Sequence, residues 1–223
     1  LVLLFHGYAS EKTSMLREAA AFRELGLSVL LVDFRGSGES TESYTTIGYE
    51  EAQDVSSAVE FAEANLPHSK LILFGQSMGA VAILRSVEHY GVSPDALIIE
   101  SVFDRLLNTI KNRFRLVGVP VFPGAELVAF WGGIQAGFNA FEHNPVEYAK
   151  NVSCPVLFLH GTNDLKARIE EGRRVFDVIP STKVFVELPH CGHESLIGCS
   201  PEKWKAAVTD FLDDAVLCGQ PVS

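Results

Sequence analysis

Gly75-Gln76-Ser77-Met78-Gly79 places a serine between two glycines, after an apolar run (Leu71-Ile72-Leu73-Phe74) and before a helix-like stretch (Ala80-Val81-Ala82-Ile83-Leu84). Gly-x-Ser-x-Gly at a strand-to-helix corner holds a serine hydroxyl out as a nucleophile. The chain must reverse within about one residue there, and glycines two positions to either side let strand and helix approach without Cβ clashes. In a chain with 18 Gly the five letters alone are a modest signal. The flanking patterns give them weight.

A serine hydroxyl is a weak nucleophile at neutral pH. It needs a base, the base needs an orienting carboxylate, and the oxyanion needs donors. The expected acid is Asp164, delivered just past a buried apolar run, Val156-Leu157-Phe158-Leu159-His160. Taken alone, that aspartate also suits a helix cap. For the base, His190 and His193 compete in Pro189-His190-Cys191-Gly192-His193-Glu194. His193 is favoured because it follows a glycine and its ring can turn back toward the sheet edge. A zinc site from His190, Cys191, His193 and Cys199 matches no familiar spacing, and no metal or other cofactor is expected. The expected oxyanion donors are the backbone N–H groups of Met78 and Tyr8, the latter after His6-Gly7. His6 and His160 read as structural histidines, and His68, His89 and His143 as solvated. Asp33-Phe34-Arg35-Gly36-Ser37-Gly38 lacks the third glycine of a dinucleotide fingerprint, so a tight turn held by Asp33 and Arg35 is expected.

These groups need a scaffold. Short apolar runs at 1–5, 28–33, 70–75, 96–100, 155–160 and 183–188 alternate with helical patterns at 13–25, 47–65, 77–90, 167–179 and 201–216. That rhythm argues for a mostly parallel sheet flanked by helices. All 223 residues are expected in one domain. The rhythm breaks at about 103–150, where no strand pattern occurs and an apolar stretch carries Phe130 and Trp131. This is the expected small helical cap, with those two aromatics walling a substrate pocket.

Composition narrows the partners. A net charge of −10 disfavours nucleic acid and anionic membrane surfaces, and no apolar run is long enough to span a bilayer. Cys154, Cys191, Cys199 and Cys218 have no framework spacing. Free thiols are expected, with one bridge among the last three left open. The chain opens without Met in an apolar run, so strands and any targeting segment before it are expected to be missing. The compartment is left undetermined, with cytoplasm slightly favoured.

Taken together, the His6-Gly7 loop, Asp33-x-Arg35-Gly36-x-Gly38-x-Ser40, Gly75–Gly79, His160-Gly161-x-x-Asp164 and Gly192-His193 resemble the α/β-hydrolase superfamily. Within it the chain is similar to the serine aminopeptidase/monoacylglycerol-lipase-like group, and to bacterial relatives of the ABHD13 and ABHD17 proteins. Glu100-Ser101-Val102-Phe103 departs from that set's Glu-Ser-Pro-Phe at Val102. Asp164-Leu165-Lys166-Ala167 departs from Asp-x-x-Val-Pro. The resemblance implies the α/β-hydrolase fold and acyl transfer from Ser77. The expected activity is hydrolysis of small carboxylic esters of short to medium acyl chain. A serine aminopeptidase, with Glu100, Glu126, Glu142 or Glu147 holding a free amine, is the alternative, as is a non-catalytic binding domain.

Overall fold

The β-branched and leucine-rich runs form six strands: β1 (Val2–Phe5), β2 (Val29–Val32), β3 (Ile72–Gln76), β4 (Ala96–Glu100), β5 (Val156–Gly161) and β6 (Lys183–Leu188). In this computed structural model, which describes residues 1–41 and 43–214, they make one parallel sheet in the order β2-β1-β3-β4-β5-β6. The helices are α1 (Leu16–Glu24), α2 (Glu51–Asn65), α3 (Met78–Tyr90), α4 (Leu106–Leu116), α5 (Gly124–Ala136), α6 (Pro145–Tyr148), α7 (Ile169–Val178), α8 (Leu196–Cys199) and α9 (Pro201–Leu212). The expected helix at 201–216 runs past residue 214, so its last two positions lie outside the described residues.

Side chains alternate across the strands, so each run feeds two cores. On one face Leu3, Phe5, Leu73, Ile99 and Phe158 pack with Val55, Val59, Val81 and Val175 from α2, α3 and α7. On the other, Val2, Leu4, Ile72, Phe74 and Leu157 pack with Phe22 of α1 and Trp204 of α9. Phe22 and Trp204 meet edge to face, centroids 5.6 Å apart. Burial on both faces explains why the central strands are continuous apolar runs.

Two local departures have physical causes. The helix expected from 47 begins at Glu51, because Ile47 and Gly48 take left-handed backbone (φ 59° and 97°). The buried Glu51 carboxylate holds that turn, accepting from the Thr46 and Gly48 N–H groups, both at 2.8 Å, and from the Thr45 and Thr46 hydroxyls. His143, expected in solvent, is fully buried. Its Nδ1 is 2.9 Å from the Tyr148 hydroxyl and its Nε2 3.0 Å from the Ile47 carbonyl. It pegs the segment between β4 and β5 to the Ile47 turn, and burial lowers its pKa to about 4.

Cys191 and Cys199 form a disulfide, so the expectation of free thiols fails for this pair. Cys154 is free, and Cys218 lies outside the described residues.

Candidate active site

The carboxyl ends of β1, β3 and β5 and the loop after β6 converge on Ser77. Its backbone is left-handed (φ 51°, ψ −110°), a strained state for a residue with a Cβ. Its N–H donates to the Glu100 carbonyl at 2.8 Å. The flanking glycines are obligatory on steric grounds. A Cβ at Gly79 would sit 2.2 Å from the Phe5 carbonyl oxygen, and one at Gly75 would sit 2.6 Å from the Ala80 nitrogen.

Ser77 Oγ lies 3.0 Å from His193 Nε2, and His193 Nδ1 lies 2.7 Å from Asp164 Oδ2. The carboxylate accepts at Nδ1, so that nitrogen carries the proton and Nε2 is left to accept from the serine hydroxyl. The other oxygen, Asp164 Oδ1, accepts from the Lys166 and Ala167 N–H groups, both at 2.9 Å. Burial pushes the Asp164 carboxyl up. The hydrogen bond and charge of His193 and the Ala167 N–H more than offset it, and hold the pKa below the ordinary value. The cap weighed for Asp164 is not made: α7 begins at Ile169 after Arg168 with no side-chain cap, and Asp164 Oδ1 instead holds the turn before it while Oδ2 meets His193.

The loop bearing His193 is closed by the Cys191–Cys199 bridge and pinned to the end of β5, where Asn163 N–H donates to the Cys191 carbonyl at 2.8 Å. The bridge takes both thiols out of the ligand set that a zinc site would need. His190 is exposed, and its N–H donates to Thr162 Oγ1 at 2.9 Å. The structure brings His193, not His190, to Ser77.

Met78 opens α3, so its N–H has no acceptor within the helix. Tyr8 lies in the loop after β1 and, with Gly7, Gln76, Ser77 and His193, lines a cleft of about 540 Å³. Behind it His6 is fully buried. Its Nε2 accepts from the Phe34 N–H at 3.2 Å and its Nδ1 donates to the Gly7 carbonyl at 2.8 Å. Desolvation lowers its pKa and keeps this ring neutral. His160 is also fully buried and bonded to the Ala167 carbonyl at 2.8 Å. Asp33 accepts from the Lys12 and Glu39 N–H groups, and Arg35 pairs with Asp54 and Glu50.

An apolar cavity of about 250 Å³ adjoins the cleft, sharing Tyr8 and Arg113 with it. Its walls are Leu106, Thr109 and Ile110 of α4, Ala129, Gly132, Gly133 and Ala136 of α5, and the turn at Thr45–Ile47. Phe130 and Trp131 are not among them. They lie on the outer face of α5, 49% and 63% exposed, against each other. At 100° per residue, the wall positions 129, 132, 133 and 136 leave 130, 131 and 134 facing outward. Sequence reading also missed Arg113 and Lys166. For Arg113 the available signal was the stripe Leu106, Thr109, Ile110, Arg113, one face of a helix.

Residues 1–112 match the family model described as serine aminopeptidase, S33. The chain is similar to Bacillus subtilis YqkD, an uncharacterized protein, at 26% identity over 96% of this chain and 71% of that protein. It is also similar to the lysophosphatidylserine lipase ABHD12 of Danio rerio, at 27% identity over 82% of this chain. It spans about half the length of that relative. The solved Pyrococcus furiosus esterase Pf2001 superposes with a TM-score of 0.74, covering 95% of this chain and 81% of that one, at 22% identity. At that identity the likeness shows the fold.

Proposed function

The chain belongs to the serine aminopeptidase, S33 family of α/β-hydrolases, and from that membership we propose that it hydrolyses carboxylic esters through Ser77, His193 and Asp164. The observation that carries the reading is the unbroken hydrogen-bonded line from Ser77 Oγ through His193 to Asp164, at 3.0 and 2.7 Å. Ser77 Oγ attacks the ester carbonyl while its proton passes to His193 Nε2. The tetrahedral oxyanion is held by the N–H groups of Met78 and Tyr8. Collapse expels the alcohol, protonated by His193, and leaves an acyl group on Ser77. Water, deprotonated by His193, then attacks that acyl group, and its collapse releases the acid and restores the serine. Asp164 stays ionised throughout and stabilises the imidazolium. The cavity between α4 and α5 takes a short to medium acyl chain, each buried methylene contributing about 0.8 kcal/mol.

An aminopeptidase would hold a free amine with a carboxylate. The four glutamates weighed for that task lie elsewhere. Glu100 is buried, bonded to Trp204 Nε1, and its pKa is raised by burial to about 8. Glu126 pairs with Lys111 and Glu147 with Lys150. Glu142 is exposed and lines neither the cleft nor the cavity. The ester reading is therefore preferred. A fluorophosphonate probe tests it first: labelling of the parent chain and none of Ser77→Ala is expected, and an unlabelled parent would return the chain to the non-catalytic reading. p-Nitrophenyl esters of increasing length, set beside aminoacyl-nitroanilides, then separate esterase from peptidase.

A further inference from the structure

Two carboxyl side chains that the proposed reaction does not use are fully buried, Glu18 on α1 and Glu100 at the end of β4. Each has one oxygen accounted for. Glu18 Oε1 accepts from the Ser195 hydroxyl at 2.7 Å, and Glu100 Oε1 accepts from Trp204 Nε1. The second oxygen of each, Glu18 Oε2 and Glu100 Oε2, is buried without a hydrogen-bond partner. An unpaired buried polar atom is costly, so two of them in one layer of the core call for an explanation.

Packing brings the two together. Phe22 lies one helical turn beyond Glu18 on the same face of α1, and its ring meets Trp204 edge to face at 5.6 Å. That same indole holds Glu100. The strand neighbours of Glu100, Gln76 on β3 and Leu159 on β5, are neutral, as are Trp204 and Ser195. The charges acting on the pair are its own and that of Arg17, beside Glu18. Burial raises both pKa values, and the charge of Glu18 helps carry Glu100 to about 8.

Both carboxyls connect to the hydrogen-bonded line at Ser77. The Glu100 carbonyl accepts from the Ser77 N–H at 2.8 Å. Ser195, held by Glu18, stands two residues after His193 and caps α8 by accepting from the Gly198 N–H at 3.3 Å. One acid is thus joined to the serine corner and the other to the loop of the histidine.

We propose that Glu18 and Glu100 hold one proton between them, and that this buried pair is a positioning device that keeps the His193 loop in register with Ser77. The proton sits on Glu100 Oε2 and is donated to Glu18 Oε2, so that all four carboxyl oxygens are satisfied. Glu18 is the ionised member, because Arg17 lies on its side. Loss of the proton leaves two facing buried anions, which repel and push α1 and the Ser195 turn away from β4. The two acids titrate as a unit. The proposal rests on the ester-hydrolase reading above.

The test is the pH profile of kcat on p-nitrophenyl butyrate, with the uncatalysed rate subtracted. In the parent chain kcat should fall above pH about 8, by up to about tenfold per unit, with KM little changed. In Glu100→Gln the fall should be absent, because the amide donates the same hydrogen bond and has no proton to lose. Glu18→Gln should lose it as well, since two facing anions can no longer form, and serves if the first variant does not fold. Thermal melts at each pH separate the fall from unfolding. A parent profile flat to pH 10, or an alkaline fall unchanged in the variants, overturns the inference and leaves the hydrolase reading standing. Infrared titration of the parent chain needs no turnover. A protonated-carboxyl C=O band that is missing from the variants should fade near pH 8. If no ester is hydrolysed, the hydrolase reading fails by itself and this arm still decides: absence of that band overturns the inference.

Discussion

Ser77 has one neighbour able to take its proton, and that neighbour is oriented by a buried, ionised carboxylate. Under the proposed mechanism, Ser77→Ala lowers kcat on a p-nitrophenyl ester by roughly four to six orders of magnitude with the fold intact. His193→Ala should be nearly as damaging, because nucleophile and base act as a unit, whereas His190→Ala should cost little. Initial rates with circular dichroism on the same samples check this, and the reverse ranking of the two histidines would overturn the assignment. The three residues were legible because each follows an apolar run that must end at one edge of a parallel sheet, in the order Ser, Asp, His. The glycine before His193 separated it from His190. Arg113 was not legible. The stripe it shares with Leu106, Thr109 and Ile110 puts it on one helix face, but whether that face meets solvent or a cleft depends on the packing of the helix.

The elements show what pattern can and cannot decide. The strands were readable from runs buried on both faces, with boundaries shifted by a residue or two. The corner between β3 and α3 was readable from its glycines, and it makes a sharp demand. Gly79→Ala would press a methyl into the Phe5 carbonyl, backbone against backbone, with no side chain to yield. A loss of about 3 kcal/mol or more is expected, read as a lower denaturation midpoint. The facing of α5 was not readable, because Gly124–Ala136 is apolar almost all round and gives no phase. Trp131→Ala should accordingly leave the chain-length profile of ester hydrolysis unchanged. Gly132→Leu should shorten that profile, because Gly132 lines the cavity and a Cβ there meets nothing within 4 Å. The expected reading is a fall in kcat/KM for hexanoyl and longer esters with acetyl esters little affected. His143 misled for a similar reason: its burial depends on a carbonyl 96 positions away.

Across the whole molecule, buried titratable groups set the response to pH. Glu100 titrates near 8 when folded, above its ordinary 4.5. The folded state keeps a proton that the unfolded chain releases, so this contribution is fully present below about 4.5 and is lost as pH rises toward 8. His143 works from the other side. Its folded pKa near 4 lies below the ordinary 6.5, so its contribution is present above that value and is lost as pH falls. Thermal melts of the parent and of Glu100→Gln, from pH 5 to 8, should show the variant with the flatter decline. Matching slopes would mean that Glu100 is not the group responsible.

The members of the hydrogen-bonded line at Ser77 are drawn from distant parts of the chain. Ser77 and His193 are 116 positions apart, with Asp164 between them, 29 before the histidine. No local segment can rehearse the site. The strained corner at Ser77, the His193 ring and the Asp164 carboxylate come together only when the sheet has closed from β3 through β6. Pairings of such long separation are slow to form. Turnover of a fluorogenic ester during refolding should therefore trail the return of helical signal. In this chain catalysis would serve as its own certificate of assembly, issued once the last third of the polypeptide has found its place beside the corner at Ser77.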